Sequence, residues 1–313
     1  MNGYPLVSLI IISYNQQEYI HDCMSSLMAL TYPNIELLYL DDCSPDGSYE
    51  TACGYLDDLK KKYADVRFIG NKRNCGLISN LNRLVSESNG QYVKFMAADD
   101  FLMENSIELM VEFMENHTEC DMLYTNGIYG NDNVHFPLEH TDMLDRLYQG
   151  AQLEGEGLLQ ELYQKDFIAA PTVMIRRDVY DRLGLYDEQI GIEDWDYYLR
   201  IAEHGCIRYL DEITVMYRFT DNSLSHSASP ARRINMQKST LLIREKYKDK
   251  VADSQSLIDK SYNDAYQDAV HIGDEEYFRF LRDYAVRNHV RISWKNRMRY
   301  LLYKMHIFKI LEN

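Results

Sequence analysis

Two aspartates stand side by side at Asp99-Asp100, directly after the apolar run Tyr92 to Met96. Adjacent carboxylates on a tight turn repel one another unless a cation neutralises them. A hard divalent ion, Mn²⁺ or Mg²⁺, does so, and a diphosphate can complete its shell of oxygens. The same ion stabilises charge that builds on a departing phosphate. The pair equally suits a solvated turn or a helix N-terminus. A second pair, Asp41-Asp42, follows Ile35 to Leu40. A carboxylate there can accept hydrogen bonds from a base or ribose, or cap the next helix. Arg73-Asn74-Cys75-Gly76 opens another helical stretch. A cation, an amide and a glycine at a helix entrance suit an anion or a base edge, as they suit a plain turn. The third acidic group is Glu193-Asp194-Trp195-Asp196. It complements a helix dipole, yet Gly191-Ile192 before it and bulky Trp195 within it also read as a pocket wall. A carboxylate flanked by others holds its proton more tightly, which tunes it toward general-base work near neutral pH.

The elements between these groups explain how they could meet. Leu6 to Ile12 is apolar on both faces and reads as a buried parallel strand. Polar Ser13-Tyr14-Asn15 follows, then helical spacing from Tyr19 to Leu30. Ile35 to Leu40 is a second strand. Ser44-Pro45-Asp46-Gly47-Ser48 opens a helix expected to reach about Ala64, Val66 to Ile69 is a short strand, Ile78 to Ser88 a helix, and Tyr92 to Met96 a strand. Alternating strands and helices imply a parallel sheet with right-handed crossovers. Ligands of such sheets sit beyond the strand carboxyl ends, where Ser13 to Asn15, Asp41-Asp42 and Asp99-Asp100 would converge. An irregular excursion is expected from about Gly127 to Glu156. Thr172 to Ile175 and Ile213 to Tyr217 read as strands, Asp178 to Leu183 and Glu193 to His204 as helices. Composition turns helical after Ser229-Pro230. The expected division is therefore 1–229, with halves 1–100 and 101–229, followed by a helical region 230–313.

The chain has 313 residues and a formal net charge of −16, so most of its surface should repel nucleic acid. From Arg287 onward the balance reverses, with seven Lys/Arg against the single acid Glu312. There Trp294, Met298, Leu301, Leu302, Met305 and Phe308 fall on one helical face, flanked by Lys295, Arg297, Arg299 and Lys304. Such a helix packs on its own domain, on a second copy as a homodimer, or on an anionic membrane. The six cysteines lack C-x-x-C spacing and read as free thiols of a reducing compartment. No segment approaches ~18 consecutive apolar residues, and the N-terminus lacks signal-peptide flanks. The expectation is a cytoplasmic protein, soluble or peripheral to the inner face of the membrane. No G-x-G-x-x-G follows the first strand and no P-loop is present, which disfavours a nicotinamide-type site.

In order along the chain, these motifs resemble glycosyltransferase family 2, the inverting group with the GT-A fold. Val7-Ser8-Leu9-Ile10-Ile11-Ile12-Ser13-Tyr14-Asn15 resembles its first strand and S/T-Y-N loop. Thr31-Tyr32-Pro33-Asn34-Ile35-Glu36 resembles TYPNxE, and Leu40 through Ser48 resembles VDDxSxDGS. Asn74-Cys75-Gly76 with Asn80 and Asn82 resembles NxG…N. Asp99-Asp100 falls at DxDD, Leu183 through Glu188 at LGxFDE, Glu193 through Asp196 at EDxD, and Tyr217-Arg218 through Ser223-Leu224-Ser225 at YRxHxxSxS. The likeness runs from about Leu6 to Ser225.

The resemblance implies a GT-A fold: a Rossmann-like, mostly parallel sheet flanked by helices, here with a C-terminal helical extension. It implies transfer of a sugar from a nucleotide-diphosphate donor, a UDP-sugar above all, to a hydroxyl of a saccharide or lipid-linked saccharide, in surface polysaccharide or glycan assembly. Ser13, Tyr14, Asn15 and Asp41 would hold base and ribose, with Asp42 near them and Arg73 and Asn74 gripping the base. Asp99 would face the donor sugar or ribose, and Asp100 would bind Mn²⁺ or Mg²⁺. Asp194 would be the catalytic base, supported by Glu193. Two positions depart from the pattern. Ala97 replaces the first metal-motif acid, and Thr220 stands at the late His, whose contact Arg218 or His226 would then supply. A sugar nucleotidyltransferase and a non-catalytic nucleotide-sugar-binding protein are the rival readings. The first usually needs a Gly-rich basic loop where this chain has Ser13-Tyr14-Asn15-Gln16-Gln17, and the second has no need of a base.

Overall fold

The computed structural model describes residues 3–131, 133–138, 145–149, 152–155, 157–219 and 229–304. The first half alternates as expected: β1 (Val7–Ser13), α1 (Ile20–Ala29), β2 (Ile35–Asp41), α2 (Ser48–Cys53), α3 (Leu56–Lys62), β3 (Asp65–Gly70), α4 (Leu77–Glu87) and β4 (Tyr92–Ala97). The single helix expected up to Ala64 is two, because Gly54 closes α2 with N–H bonds back to Glu50 and Thr51. Then come β5 (Phe101–Leu102), α5 (Ser106–Asn116), β6 (Met122–Gly130), α6 (Leu158–Gln164), a 3₁₀ turn (Ala170–Thr172), β7 (Val173–Arg176), α7 (Arg177–Leu183), α8 (Glu193–His204) and β8 (Ile207–Arg218). β6 claims the start of the stretch expected to be irregular, and residues 145–147 run back along it, with Leu147 N–H donating to Gly127 O at 2.9 Å. Four helices close the chain: α9 (Pro230–Tyr247), α10 (Ser254–Ile272), α11 (Glu275–Arg287) and α12 (Trp294–Lys304).

One eight-stranded sheet has the order β3-β2-β1-β4-β7-β6-β8-β5. β3, β2, β1 and β4 are mutually parallel, as are β6 and β8. β7 runs antiparallel between β4 and β6, and β5 antiparallel to β8. β1 and β2 are buried at every position, which is why they read as apolar runs rather than alternations. Leu9 and Ile11 face a core shared with Met24 and Leu27 of α1 and Met110 of α5. Ile10 and Ile12 face Leu81 and Leu84 of α4 and Trp195 and Leu199 of α8. The helical layer has a core of its own from Leu241, Ile258, Tyr262, Leu281 and Tyr284. α9 reaches both, since its Ile243 and Tyr247 pack with the α8 face of the sheet.

The end of the sheet opposite the acid pairs is pinned by Glu36, at the start of β2. Its buried carboxylate accepts from Ser8, Arg67 and both nitrogens of Asn89. Burial alone would raise its proton affinity, but these donors win and hold it below the ordinary value. This knot locks the relative register of β1, β2 and β3, and so the height at which their far ends present side chains. Among the described residues, no helix is long and apolar enough to cross a membrane.

Candidate active site

Parallel registry aligns the strand ends: Ser13 lies opposite Asp41, and Asp41 opposite Gly70. Ser13 Oγ donates to Asp41 Oδ2 at 2.8 Å and lies 2.7 Å from Tyr39 OH. Asp41 also accepts from Ser44 N–H at 2.8 Å and Ser44 Oγ at 2.5 Å. The loop after β1 is then laced to the loop after β2. Backbone N–H groups of Asn15, Gln16 and Gln17 donate to Ser44 Oγ, Ser48 Oγ and Asp46 Oδ2 at 2.9, 3.0 and 3.1 Å. This lacing holds Asn15 at φ +57°, a region asparagine tolerates better than most residues, and leaves Tyr14 half exposed.

Asp42 faces the next loop. Its Oδ1 accepts from Asn71 Nδ2 and Cys75 N–H, both at 2.8 Å, and its Oδ2 from Gly76 N–H at 2.9 Å. Burial works against its charge, but the amides of Asn80 and Asn71 and the two backbone donors outweigh it and lower its proton affinity. Gly76 sits at φ +83°, where a side chain would be strained. The result is a braced entrance to α4 on which Arg73 and Asn74 are exposed. The structure thus brings Ser13, Tyr14, Asn15, Asp41, Asp42, Arg73 and Asn74 to one rim. Within that rim, Ser13, Asp41 and Asp42 spend their polar atoms on holding the loops together.

Asp99 and Asp100 follow β4 on the same edge, where Ala98 N–H donates to Ile12 O at 3.1 Å. Asp100 is buried, and its Oδ1 accepts the backbone N–H of Arg218 at 2.7 Å. Burial and then the neighbouring Asp99 charge push its proton affinity well up, against the pull of Arg218 and Lys94. Asp99 is raised too, by burial, with Gln16 and Arg218 opposing. These hard oxygens suit a hard cation, and one or two carboxylates completed by diphosphate and water is the usual way Mg²⁺ is held. Among the described residues no third acid, histidine or cysteine joins them, so a diphosphate would have to supply the remaining ligands. Ala97, at the position of the missing acid, pairs with Ile12 as the last residue of β4.

Arg218 is not free to grip a diphosphate. Its Nε donates to Asp99 O, its Nη1 to Asn131 O and Val134 O, all at 2.8 Å, and its Nη2 to Asp22 Oδ2 at 3.1 Å. Its guanidinium also stacks over Tyr19, 4.7 Å from the ring centre. It is a buried peg beneath the aspartates, and the expected substitute contact is not made by this side chain. Thr220, Ser223 to Ser225 and His226 lie outside the described residues.

Glu193 and Asp194 open α8 and line a cavity with Phe95 of β4, Leu81 of α4, Ala170 and Tyr198. The cavity therefore borders the strand that ends in Asp99-Asp100. Burial and the Asp194 charge push the Glu193 carboxyl up to about 8. Burial raises Asp194 as well, opposed by its hydrogen bond from Trp195 N–H. Trp195 is absent from this wall; its Nε1–H donates to Leu162 O at 2.6 Å within the core. Asp196 is structural, accepting from Arg200 at 2.7 Å and from Lys246 at 2.7 and 2.9 Å. The three acids of this motif therefore divide between cavity and core.

Two buried groups escaped the sequence reading. Asp166, between α6 and the 3₁₀ turn, is pushed well up by burial and by the charges of Asp194 and Glu193. Its Oδ1 is buried and has no hydrogen-bond partner among the described residues. Lys94 of β4 is fully buried, donates to Pro171 O, and is driven down to about 7 by burial, with Asp100 resisting. Neither sits in a recognisable motif.

A mixed sheet with acids gathered at its strand ends defines an α/β enzyme with a ligand crevice at one edge. The family model described as "Glycosyl transferase family 2" matches residues 8–184. The chain belongs to this family of glycosyltransferases and has its GT-A fold. The uncharacterized glycosyltransferase EpsJ of Bacillus subtilis is 30% identical over 248 residues, 75% of this chain and 67% of that one. The putative teichuronic acid biosynthesis glycosyltransferase TuaG of the same organism is 25% identical over 226 residues, 72% and 83% of the two chains. Among solved structures, S. aureus TarS 1-349 in complex with UDP-GlcNAc has a TM-score of 0.58 at 17% identity, covering 83% of this chain and 72% of that one. The mannosyltransferase PcManGT from Pyrobaculum calidifontis, in complex with GDP-Man and Mn²⁺, has a TM-score of 0.56 at 14% identity, covering 100% and 88%. The rival readings, a nucleotidyltransferase and a non-catalytic binding protein, give way to a glycosyltransferase.

Proposed function

We propose that this glycosyltransferase uses a nucleotide-diphosphate sugar, a UDP-sugar in the first instance, and transfers the sugar with inversion to a hydroxyl of a saccharide or lipid-linked saccharide in surface-polysaccharide assembly. The observation that carries the reading is the disposition of carboxyl groups along β4. Asp99 and the buried Asp100 stand at its end, and a second acidic wall, Asp194 with Glu193, borders a cavity against its Phe95. The rim of Ser13, Tyr14, Asn15, Asp41, Arg73 and Asn74 takes base and ribose. Asp42 acts from beneath by holding the Arg73 loop.

In this reading Asp100 would hold Mn²⁺ or Mg²⁺ together with the diphosphate, and the bound ion would supply neutralisation of the leaving nucleotide's charge. Asp99 faces the donor's ribose or sugar. Asp194 takes the proton of the acceptor hydroxyl as that oxygen attacks the anomeric carbon, and Glu193 orients the acceptor. Burial raises the proton affinity of both acids, the direction that tunes a carboxylate toward base work near neutral pH. The TarS complex with UDP-GlcNAc and the PcManGT complex with GDP-Man and Mn²⁺ support a nucleotide-sugar donor and a divalent ion. The name of TuaG supports a polysaccharide pathway.

The test is a thermal-shift screen of UDP- and GDP-sugars with and without Mn²⁺, followed by release of nucleoside diphosphate from the best donor. Asp194→Asn should lower turnover by about 10²–10⁴-fold with donor affinity nearly kept. Retained turnover removes Asp194 from the base role. Asp100→Ala should abolish the Mn²⁺-dependent part of the thermal shift, and an unchanged shift removes Asp100 as the metal ligand.

A further inference from the structure

α12 packs through its polar side. Asn296 is buried, and its Nδ2 donates to Asn263 O at 2.8 Å and Asn263 Oδ1 at 3.1 Å. Arg299 reaches Gln267 Oε1 on α10 at 2.9 Å. The opposite side carries Trp294, Met298 and Leu301, spaced to share one helical face, and these are 71%, 49% and 52% exposed. The sequence allowed that this apolar stripe packs on its own domain; these three residues do not, while Met305 and Phe308 lie outside the described residues. Arg291, Lys295 and Arg297 beside the stripe are exposed and form no ion pair among the described residues. An inward polar face and an outward apolar face edged with free cations reverse the usual arrangement for a surface helix.

We propose that this face of α12 docks on an anionic lipid surface, with Trp294, Met298 and Leu301 entering the interface and Arg291, Lys295 and Arg297 meeting the headgroups. Apolar burial combined with attraction of Lys and Arg to acidic lipids is how in-plane helices bind, and tryptophan favours the headgroup level. Charge complementarity selects lipid over a symmetric pair of chains. A two-fold contact places a patch against itself, which would set one cation-edged stripe against another of the same sign. The rest of the molecule is acidic and would be held off the same surface, so this helix sets the orientation of the protein on it.

The experiment is flotation of the full chain with vesicles of phosphatidylcholine alone, or of phosphatidylcholine with phosphatidylglycerol, while tryptophan emission is followed. The chain has two tryptophans, and Trp195 is buried, so Trp294 reports the interface. The expected result is flotation and a blue shift with the acidic vesicles only. Lys295→Glu with Arg297→Glu should weaken partition by roughly tenfold or more, and Trp294→Gln with Met298→Gln should remove it. All four positions are exposed, so unchanged circular dichroism and Tm verify the fold of the variants. A protein that stays unbound with both vesicle types overturns the proposal. So does concentration-dependent self-association that the Trp294→Gln, Met298→Gln variant abolishes without any vesicle binding, because the stripe's occupant is then a second copy. None of these readouts depends on donor or turnover.

Discussion

The backbone N–H of Arg218 donates to Asp100 Oδ1 at 2.7 Å, while the Arg218 Nε donates to the carbonyl of Asp99 at 2.8 Å. One residue at the end of β8 thus holds both the side chain of one aspartate and the backbone of the other. It ties the parallel half of the sheet to its far edge at the point where Asp99 and Asp100 lie.

Replacing Arg218 by Met should therefore be severe. It strips the cation from Asp22, which also accepts from His135 and from Phe136 N–H, and removes a donor from the carbonyls of Asp99, Asn131 and Val134. Breaking a buried pair costs about 3–5 kcal/mol. Urea denaturation is expected to show that loss. Arg218→Lys should recover part of it, because charge returns without the planar fork. A Met variant as stable as the parent would show that the network carries no weight.

Asp42→Ala should open the Arg73 loop. The substitution leaves Cys75 N–H without its acceptor and takes one of two acceptors from Gly76 N–H and from Asn71 Nδ2, at about 1–3 kcal/mol in all. Because the folded carboxyl is held below its ordinary value, its contribution is present above the unfolded pKa near ~3.9 and is lost as pH falls through the lower folded value. Nucleotide affinity measured by calorimetry should fall in Asp42→Ala more than in Asp42→Asn, which keeps one acceptor oxygen. Equal affinities would mean that the loop does not depend on this anchor.

What the sequence made legible follows from where free energy is concentrated. β1 and β2 are buried on both faces, so each is an apolar run whose polar terminus marks the ligand edge. Ser13, Asp41 and Asp99-Asp100 could be placed on one rim from that rule alone. Asp166 could not, because a lone acid between α6 and a 3₁₀ turn has no periodicity; only the packing of α6 on α8 brings it beside Asp194. Lys94 drew no reading within its strand, because only the pairing of β4 with β1 and β7 shows that it is buried. The polarity of α12 was also illegible: its heptad-like apolar stripe suggests an inward face, but the side-chain amides of Asn263 and Asn296 turn the helix over.

Glu193 offers a test through stability alone. Its carboxyl is raised to about 8 in the folded chain and lies near ~4.3 when unfolded. Between those values the folded state keeps a proton that the unfolded chain releases. Stability from this group is therefore whole below about pH 4 and declines as pH rises through about 8. Glu193→Gln mimics the protonated form and should flatten that decline, raising Tm at pH 8 by about 2–4 °C for each kcal/mol relieved. A scan of Tm from pH 5 to 9, in ~1-unit steps that resolve a single titration, checks it. A variant whose Tm follows the parent's pH slope would place an ionised Glu193 in the cavity.

Asp166 allows the division of labour among the three acids to be read directly. Burial raises all three, but Asp166 additionally feels both Asp194 and Glu193, and Glu193 feels Asp194. Charge on Asp194 therefore opposes ionisation of the other two. A carboxyl moved upward by burial is tuned toward general-base work near neutral pH. Asp166→Asn keeps the side chain's shape and removes its titration, so with Asp194 as the base turnover at pH 7 should stay within about threefold and the acidic limb of the pH–rate profile should not move. Asp166→Ala, by contrast, removes the side chain beside Asp194 and should lower kcat through loss of packing, again with the limb in place. If Asp166→Asn shifts the acidic limb to lower pH, Asp166 carries charge beside Asp194 and shares in setting the titration of the base.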